Sequence, residues 1–320
     1  MIFKKFIIKE LLVLLFVVLS IVGINYWWDP YGIWHDVSGK DIRMIESART
    51  TKYLMGFNYI PSNFNGLLIG PSLSANMNTK KIKNYKLYNV SFNGANITEL
   101  DTVVRNILEH DKKRNIKFVV FCINTYMTKN YGEKSTALDP KHFLGTLGSI
   151  NMLELLYNKY RIKLNPKWDK FHDSSYGFID NDKHEKSLDS KEMLFQKLKK
   201  MKNGEDKLIV NSKAMKEFEE LVKYIRSKKI KIFAYVYPRQ YDMYKLWEKE
   251  YNDIYEVQKS FFTKDDVVFD FNDKKFESFR KDYNSYIDGS HLSHKGADVV
   301  LREIEKRLDQ YYIKRSNYEK

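Results

Sequence analysis

A serine, a histidine and an aspartate are the residues of this chain that could together support nucleophilic catalysis. Ser72 follows an apolar run and Gly70-Pro71, a pattern typical of a short buried strand that ends in a tight turn. Far along the chain, Asp288 precedes His291 by three residues. One turn of chain can place both side chains on the same side, so that the aspartate orients the histidine and the histidine activates the serine. We therefore expect Ser72, His291 and Asp288 to form a catalytic triad.

Each of these residues also has a purely structural interpretation. A serine after a strand often only caps the next helix, and Ser74 competes with Ser72 as the nucleophile. The segment around His291 could be an exposed loop in which Ser293 caps the last helix. His294, the second histidine there, is expected to lie on that helix and to point elsewhere.

Two further loops could supply donors for an oxyanion hole. Gly94 follows the second predicted strand, and a glycine can bring its backbone N–H close to a substrate. Asn124 follows the third predicted strand and could donate a side-chain N–H. Taken separately, Gly94 and Asn124 can each be explained as ordinary turn residues. The carboxyl ends of parallel strands, however, lie at one edge of a sheet, where ligands bind. We expect Gly94 and Asn124 to converge there with Ser72 and His291.

The elements that must position these residues alternate between strands and helices. The strands are continuous apolar runs, which is typical of a parallel sheet covered on both faces. The predicted fold class is α/β, a three-layer, flavodoxin-like sandwich with a central, mostly parallel sheet. Five strands are predicted: one that ends at Ile69, then Tyr85–Val90, Lys117–Ile123, Ile230–Val236 and Val267–Asp270. The predicted helices are Arg43–Leu54, Ile97–His110, Lys213–Lys228, Tyr244–Phe262 and His294–Tyr311. A loop is predicted over Tyr59–Asn65.

One segment, residues 128–211, does not fit this alternation. It is polar and rich in Lys, Asp and Ser, with helical patterns over Leu147–Tyr160 and Lys191–Met201. Long loops of this kind are often functional lids. We interpret it as an insertion over the carboxyl edge of the sheet.

The amino terminus carries an apolar segment long enough to span a membrane. Leu11–Ile24 is almost wholly apolar, and with the residues before it reaches the roughly 20 that a span needs. Three lysines precede it and the next basic residue after it is Lys40, so the amino terminus is expected to be cytoplasmic. A cleaved signal peptide is the alternative, although no small-residue cleavage site follows. We predict a cytoplasmic tip and transmembrane anchor over 1–28 and an extracytoplasmic domain over 29–320.

Composition limits the remaining possibilities. The 320 residues are 43% hydrophobic, enough for a substantial core, and the single cysteine, Cys122, excludes an intrachain disulfide. Cys122 lies in an apolar run and is expected in the core. The formal net charge of +14 is spread along the chain without a zinc-finger or helix-turn-helix pattern, so nucleic acid is not the expected partner. A basic surface suits an anionic membrane or polymer. No spacing for a metal or nucleotide site is present, so no cofactor is expected.

The order of these motifs resembles the SGNH hydrolase/acyltransferase superfamily. Its features are a serine after the first strand, a glycine after the second, an asparagine after the third and Asp-x-x-His before the last helix, which here are Ser72, Gly94, Asn124, and Asp288 with His291. The anchor, the Asp-Pro-Tyr-Gly segment after it and Arg49 to Lys52 are similar to the membrane-anchored group that includes alginate O-acetylation proteins and the teichoic-acid D-alanylation protein. Pro71 and Thr125 depart from the superfamily pattern.

This resemblance implies an extracytoplasmic serine O-acyltransferase that modifies a cell-surface or secreted polysaccharide through an acyl-Ser72 intermediate, with acetyl as the expected group. It also implies a partner, a membrane-bound O-acyltransferase that passes the acyl group across the membrane. A carbohydrate esterase or deacetylase could use the same triad. An inactive, membrane-tethered scaffold is the third possibility.

Overall fold

A five-stranded sheet forms the centre of the molecule, and all of its neighbouring strands are parallel. The computed structural model describes residues 2–35, 43–44, 48–132, 134–165, 172–180, 190–205 and 208–318. The strands in chain order are β1 (Arg43–Met44), β2 (Gly66–Ile69), β3 (Leu87–Asn89), β4 (Phe118–Ile123), β5 (His172–Asp173), β6 (Lys231–Val236) and β7 (Val267–Asp270). The central sheet has the order β3-β2-β4-β6-β7, and β1 pairs with β5 in a separate antiparallel ribbon.

Helices cover both faces of this sheet. The helices of the described chain, in order, are α1 (Ile2–Trp28), α2 (Ala48–Met55), α3 (Tyr59–Asn63), α4 (Ser72–Ala75), α5 (Ile97–His110), α6 (Lys141–Gly148), α7 (Ile150–Leu164), α8 (Ser190–Lys202), α9 (Ser212–Ser227), α10 (Tyr241–Leu246), α11 (Glu248–Lys259), α12 (Glu277–Lys281) and α13 (His294–Tyr318). Strand side chains alternate between the faces. Leu67 and Val119 pack on one face with α2, α5 and α9, whereas Leu68 and Val120 pack on the other with α13.

The sheet confirms the predicted α/β, three-layer fold. Because β2 and β4 are buried along their whole length, each reads in the sequence as an unbroken apolar run, whereas the buried strand β3 ends in the polar Asn89. Cys122 is fully buried, and burial raises the pKa of its thiol to about 11. It is therefore a core residue, as expected.

Several predicted elements differ from the structure. The helical pattern predicted over Leu147–Tyr160 crosses the break between α6 and α7, where Ser149 is extended. The predicted helix over Arg43–Leu54 begins only at Ala48, because Arg43 and Met44 pair instead with His172 and Asp173. The predicted loop over Tyr59–Asn65 contains the short helix α3. The predicted helix over Tyr244–Phe262 is two helices, α10 and α11, because the Trp247 backbone leaves the helical region at φ −131° and ψ 40°.

Helix α1 is bound to the folded domain at its carboxyl-terminal end. Among the described residues, α1 is the one helix whose length and apolar composition would allow it to cross a membrane. A signal sequence has the same length and composition. The Asn25 Nδ2 donates to the carbonyl oxygens of Leu147 (2.8 Å) and Ser149 (3.0 Å), where α6 meets α7. The buried Asp29 carboxylate accepts hydrogen bonds from the backbone N–H groups of residues 33–35. Part of the predicted insertion therefore packs on α1, and another part, α8, reaches the carboxyl edge of the sheet.

Candidate active site

Ser72 lies at the carboxyl end of β2, at the first position of the short helix α4. The strand ends at Ile69, and Gly70-Pro71 makes the turn into α4. The Pro71 ring fixes φ in a range that suits entry into a helix, and the Pro71 carbonyl accepts from the Ser74 N–H at 3.1 Å. This turn leaves the Ser72 side chain partly exposed, while its neighbours Pro71 and Leu73 are buried.

His291 connects Ser72 to Asp288 through two hydrogen bonds. The His291 Nε2 lies 3.0 Å from the Ser72 Oγ, and the His291 Nδ1 lies 2.8 Å from the Asp288 Oδ2. An ionised Asp288 can only accept, so Nδ1 carries the proton and Nε2 is left to accept the proton of the serine. The His291 and Asp288 side chains are 27% and 20% exposed. This is the geometry of a serine nucleophile with its base and an orienting carboxylate.

The loop that carries these two residues is shaped by the aspartate itself. The Asp288 Oδ1 accepts from the backbone N–H groups of Ser290 (2.9 Å) and His291 (2.7 Å). Gly289 between them has φ +76°, a left-handed conformation that favours glycine. A Cβ on Gly289 would also lie 3.0 Å from the Leu194 Cδ1 on α8. The sequence Asp-Gly-Ser-His thus encodes both the turn and the position of the histidine.

The charge state of Asp288 follows from these contacts. Burial alone would raise the pKa of its carboxyl group. The hydrogen bond and charge of His291, together with the two backbone N–H groups, outweigh burial and hold the Asp288 pKa well below its usual range. Asp288 is therefore ionised at neutral pH and can stabilise a protonated His291.

Three side chains that the sequence analysis did not single out hold this loop in place. The Asn76 Nδ2 donates to the Leu292 carbonyl, which ties the end of α4 to the histidine loop. The Tyr237 hydroxyl donates to the Ser290 carbonyl at 2.8 Å and accepts from the Leu292 N–H at 3.1 Å. Lys197 on α8 donates to the Ser290 Oγ. Their positions in the sequence could have indicated a role for two of them. Tyr237 directly follows β6, and Asn76 directly follows α4, the helix that begins at Ser72.

The competing residues have other partners. The Ser74 side chain is fully buried and lies 2.9 Å from the Ser91 Oγ, so it is not placed as a nucleophile. The Ser293 Oγ accepts from the Gly296 N–H at 3.3 Å, so the loop also caps α13 as the structural interpretation predicted. The His294 Nε2 lies 2.9 Å from an Asp180 carboxylate oxygen, away from Ser72 as expected.

Of the two predicted oxyanion donors, Gly94 lies in a suitable loop and Asn124 does not present its amide. Gly94 is exposed after β3, which pairs with β2, and its φ of +67° favours glycine. The Asn124 prediction is wrong in this respect: its side chain is fully buried, and its Nδ2 donates to the Cys122 carbonyl at 2.8 Å. Its Oδ1 accepts from the Tyr126 N–H at 2.9 Å. The amide therefore shapes the turn after β4, and the Ser72 and Gly94 N–H groups remain as candidate donors.

A buried lysine fixes the loop that carries Gly94. The Lys52 Nζ on α2 donates to the carbonyl oxygens of Ser91 and Gly177. Burial holds the Lys52 pKa well below its usual value. Lys52 therefore connects the loop after β3 to the inserted segment. Among the described residues, no group of three or more His, Cys, Asp or Glu side chains is arranged to hold a metal ion.

The Tyr237 hydroxyl is expected to matter for both stability and reactivity. In Tyr237→Phe, the buried Ser290 carbonyl and Leu292 N–H lose their partner, which should lower the free energy of unfolding by about 1–3 kcal/mol. A looser His291 should also slow labelling of Ser72 by a fluorophosphonate about tenfold, since 1.4 kcal/mol corresponds to a factor of ten. Urea unfolding and labelling rates measure these effects. Tyr85→Phe, at the opposite edge of the sheet, is the control that should leave the labelling rate unchanged.

In the comparisons with known proteins, only solved structures match this chain. No family model matches the sequence, and no curated protein matches it. Solved structures that match include a Streptococcus pneumonia protein described provisionally as a platelet activating factor. The two chains share 10% sequence identity at a TM-score of 0.44, over 82% of this chain and 91% of that one. At this distance the likeness carries no functional argument.

Proposed function

We propose that this protein is an SGNH-type serine acyltransferase that moves an acyl group, expected to be acetyl, onto a hydroxyl of a cell-surface or secreted polysaccharide. One observation carries the proposal, the continuous chain of hydrogen bonds from Ser72 through His291 to Asp288. The structure brings these residues together from distant parts of the chain, since Ser72 and His291 are 219 positions apart in the sequence. A purely structural loop would not need a histidine that bridges an aspartate to a partly exposed serine.

The first half-reaction forms an acyl-enzyme. His291 takes the Ser72 hydroxyl proton on Nε2 while Oγ attacks the carbonyl carbon of the acyl donor. The negative charge that develops on the carbonyl oxygen is stabilised by the backbone N–H groups of Ser72 and Gly94. His291 then returns the proton to the leaving oxygen of the donor as its bond to the acyl carbon breaks, and Asp288 stabilises the imidazolium in between.

The second half-reaction transfers the acyl group from Ser72. His291 deprotonates a sugar hydroxyl, which attacks the acyl carbon, and the Ser72 Oγ leaves with the proton that His291 returns. The partial exposure of Ser72 and His291 also supports water as the acceptor. Hydrolysis by an esterase or deacetylase is therefore the second candidate function.

We further propose that α1 stays attached as a membrane anchor and that residues 29–320 lie outside the cytoplasm. Its length and apolar composition fit a span. The buried contacts of Asn25 support retention, because cleavage after the helix would remove a side chain that bonds to the junction of α6 and α7. An anchor would raise the effective concentration of the domain near a membrane-bound O-acyltransferase that supplies the acyl group.

In the test, the full chain is kept in detergent and supplied with 4-nitrophenyl acetate as the acyl donor and an oligosaccharide as the acceptor. Mass spectrometry of the products compares acetylated sugar with free acetate. We expect acetylated sugar to accumulate with the acceptor present, and to be absent with Ser72→Ala. Free acetate alone, formed at a rate that the acceptor does not change, would assign the hydrolase function instead.

A further inference from the structure

A buried arginine lies at the carboxyl end of β6, close to the candidate active site. Arg239 is only 2% exposed. Its Nε donates to the Tyr255 hydroxyl at 3.2 Å, and its Nη2 donates to the Thr125 hydroxyl at 3.0 Å. Both partners are neutral oxygens. Among the described residues, no carboxylate lies within ion-pair distance of Arg239, so its charge is buried without a counter-charge.

Aromatic rings surround this guanidinium group. The Arg239 Cζ lies 5.3 Å from the ring centre of Tyr126, 5.2 Å from that of Tyr251 and 5.7 Å from that of Tyr237. Aromatic faces stabilise a cation, but they do not neutralise it. In the part of the chain that the structure describes, the Arg239 Nη1 has no hydrogen-bond partner. Nη1 is not among the fully buried polar atoms that lack a partner, so it faces space in which water or the oxygen of an anion can accept its hydrogen bond.

Arg239 lines a narrow cavity in which the other charged residues are also basic. The cavity is small: it has about 20 Å³ of accessible space, roughly what one water molecule needs, and it is partly open to solvent. Lys129 and Lys197 lie in its wall. No acidic residue lies among its described lining residues. Tyrosine, tryptophan and aliphatic side chains form the rest of the wall, so electrostatic attraction inside it is screened less than at the surface. At this size the cavity can take one oxygen of a carboxylate or phosphate group whose remaining atoms lie on its open side.

Two contacts connect the cavity to the loop that carries His291. Lys197 in the cavity wall donates to the Ser290 Oγ. Tyr237, whose ring lies beside Arg239, donates to the Ser290 carbonyl. Ser290 is the neighbour of His291. A molecule whose reacting oxygen lies at Ser72 could therefore extend a charged group towards Arg239.

We propose that the Arg239 cavity binds a carboxylate or phosphate group of the substrate and so selects anionic substrates for the reaction at Ser72. Planar guanidinium groups bind such oxyanions with two parallel hydrogen bonds. The inference rests on the proposed function, because it assigns the substrate class of the same site. Lys129 and Lys197 add positive charge around the bound group.

The experiment compares three aryl acetates with different charges at the para position: phenyl acetate, its 4-carboxy derivative and its 4-phosphonooxy derivative. Because the para group also changes the size and the leaving ability of the phenol, each ratio is compared between the wild type and the variants. With the wild-type protein, we expect kcat/KM to be roughly 10- to 100-fold higher for at least one charged ester, the range for a charge-assisted hydrogen bond. The charged ester that is preferred identifies carboxylate or phosphate. Arg239→Gln should bring the ratio of charged to uncharged ester close to one, whereas Lys264→Gln, an exposed lysine outside the cavity, should keep the wild-type ratio.

Two further measurements keep the inference testable if Arg239→Gln does not fold. Lys129→Gln at the partly exposed side of the cavity should lower the same ratio severalfold. Inorganic phosphate and benzoate should raise the melting temperature of the wild type more than that of the Lys129 variant, since a ligand that binds only the folded state stabilises it. A wild type with no preference for charged esters, or variants that keep the preference, would overturn the inference.

The outcomes also separate this inference from the proposed function. If Ser72 reacts with an uncharged fluorophosphonate but neither anion preference nor anion stabilisation is found, the cavity assignment fails alone. If Ser72 is unreactive while phosphate or benzoate still stabilises the protein through Lys129 and Arg239, the catalytic proposal fails and the anion site stands.

Discussion

Ser72→Ala is expected to lower the rate of acyl transfer by at least about 10³- to 10⁴-fold, because no other described hydroxyl lies within hydrogen-bond distance of His291. His291→Ala should lower the rate of acyl transfer by about the same factor, since the serine and its base act as one unit. The measurement is the rate of 4-nitrophenol release from 4-nitrophenyl acetate. Labelling by a fluorophosphonate should disappear in Ser72→Ala and fall steeply in His291→Ala.

Matched controls are available for both variants. Ser62→Ala removes an exposed serine on α3, and His294→Gln removes the histidine of the neighbouring His294–Asp180 pair. Both should keep activity within a few-fold of the wild type. Equal labelling of the wild type and His291→Ala would contradict an activated Ser72. Unchanged surface acylation in cells that carry Ser72→Ala would favour the scaffold instead.

Asp288→Asn is the second variant with a large expected effect, about 10³- to 10⁴-fold on kcat. An amide in place of the Asp288 carboxylate can donate to His291 Nδ1, which would leave the proton on Nε2 and remove the base from Ser72. The substitution also weakens the acceptor for the Ser290 and His291 N–H groups. We expect the loss to fall mainly on kcat, measured with the same ester, while binding of an uncharged substrate changes little.

Asp288 should also make stability depend on pH in a defined direction. Its carboxyl pKa is lower in the folded state than in the unfolded chain, where it is about 4. The stabilisation is therefore fully present above pH 4 and is lost as the pH falls below that value towards the folded-state pKa. Urea unfolding of the wild type and Asp288→Asn should differ most near neutral pH and converge in acid. A difference that grows in acid would contradict this assignment.

Much of the fold was predictable because its signals are local. Ile97–His110 was predicted with the bounds that the structure has, from the helical spacing of its apolar residues. The structure adds a capping box at Asn96 and Glu99, which fixes the start of the helix. The five strands of the central sheet were predicted within about two residues, because strands buried on both faces are mostly apolar, whereas the two-residue strands β1 and β5 were not predicted. Ser72, His291 and Asp288 were brought together from sequence by one topological rule, that loops at the carboxyl ends of parallel strands meet.

The remaining site features depend on side-chain direction, which the sequence pattern does not specify. Asn124 lies at the predicted sheet edge, but its amide turns back to bond the Cys122 carbonyl. Arg239 reads as an ordinary basic residue after a strand, and only the packing of α11 and the loop after β4 buries it. Lys197 lies in an inserted helix whose docking site no periodicity could indicate.

The hydrogen bonds of Asn25 to the junction of α6 and α7 have a consequence for where the protein can work. A linker of flexible residues would let a tethered domain sweep a wide volume. Here Asn25, near the end of the helix, bonds directly to the junction of α6 and α7, and the Asp29 carboxylate holds the turn over residues 33–35 that follows the helix. On the proposed topology, Ser72 would stay at a nearly constant height above the bilayer. Polymer segments would then be modified in a thin layer as they leave the membrane, and segments already further out would keep the pattern that they received there.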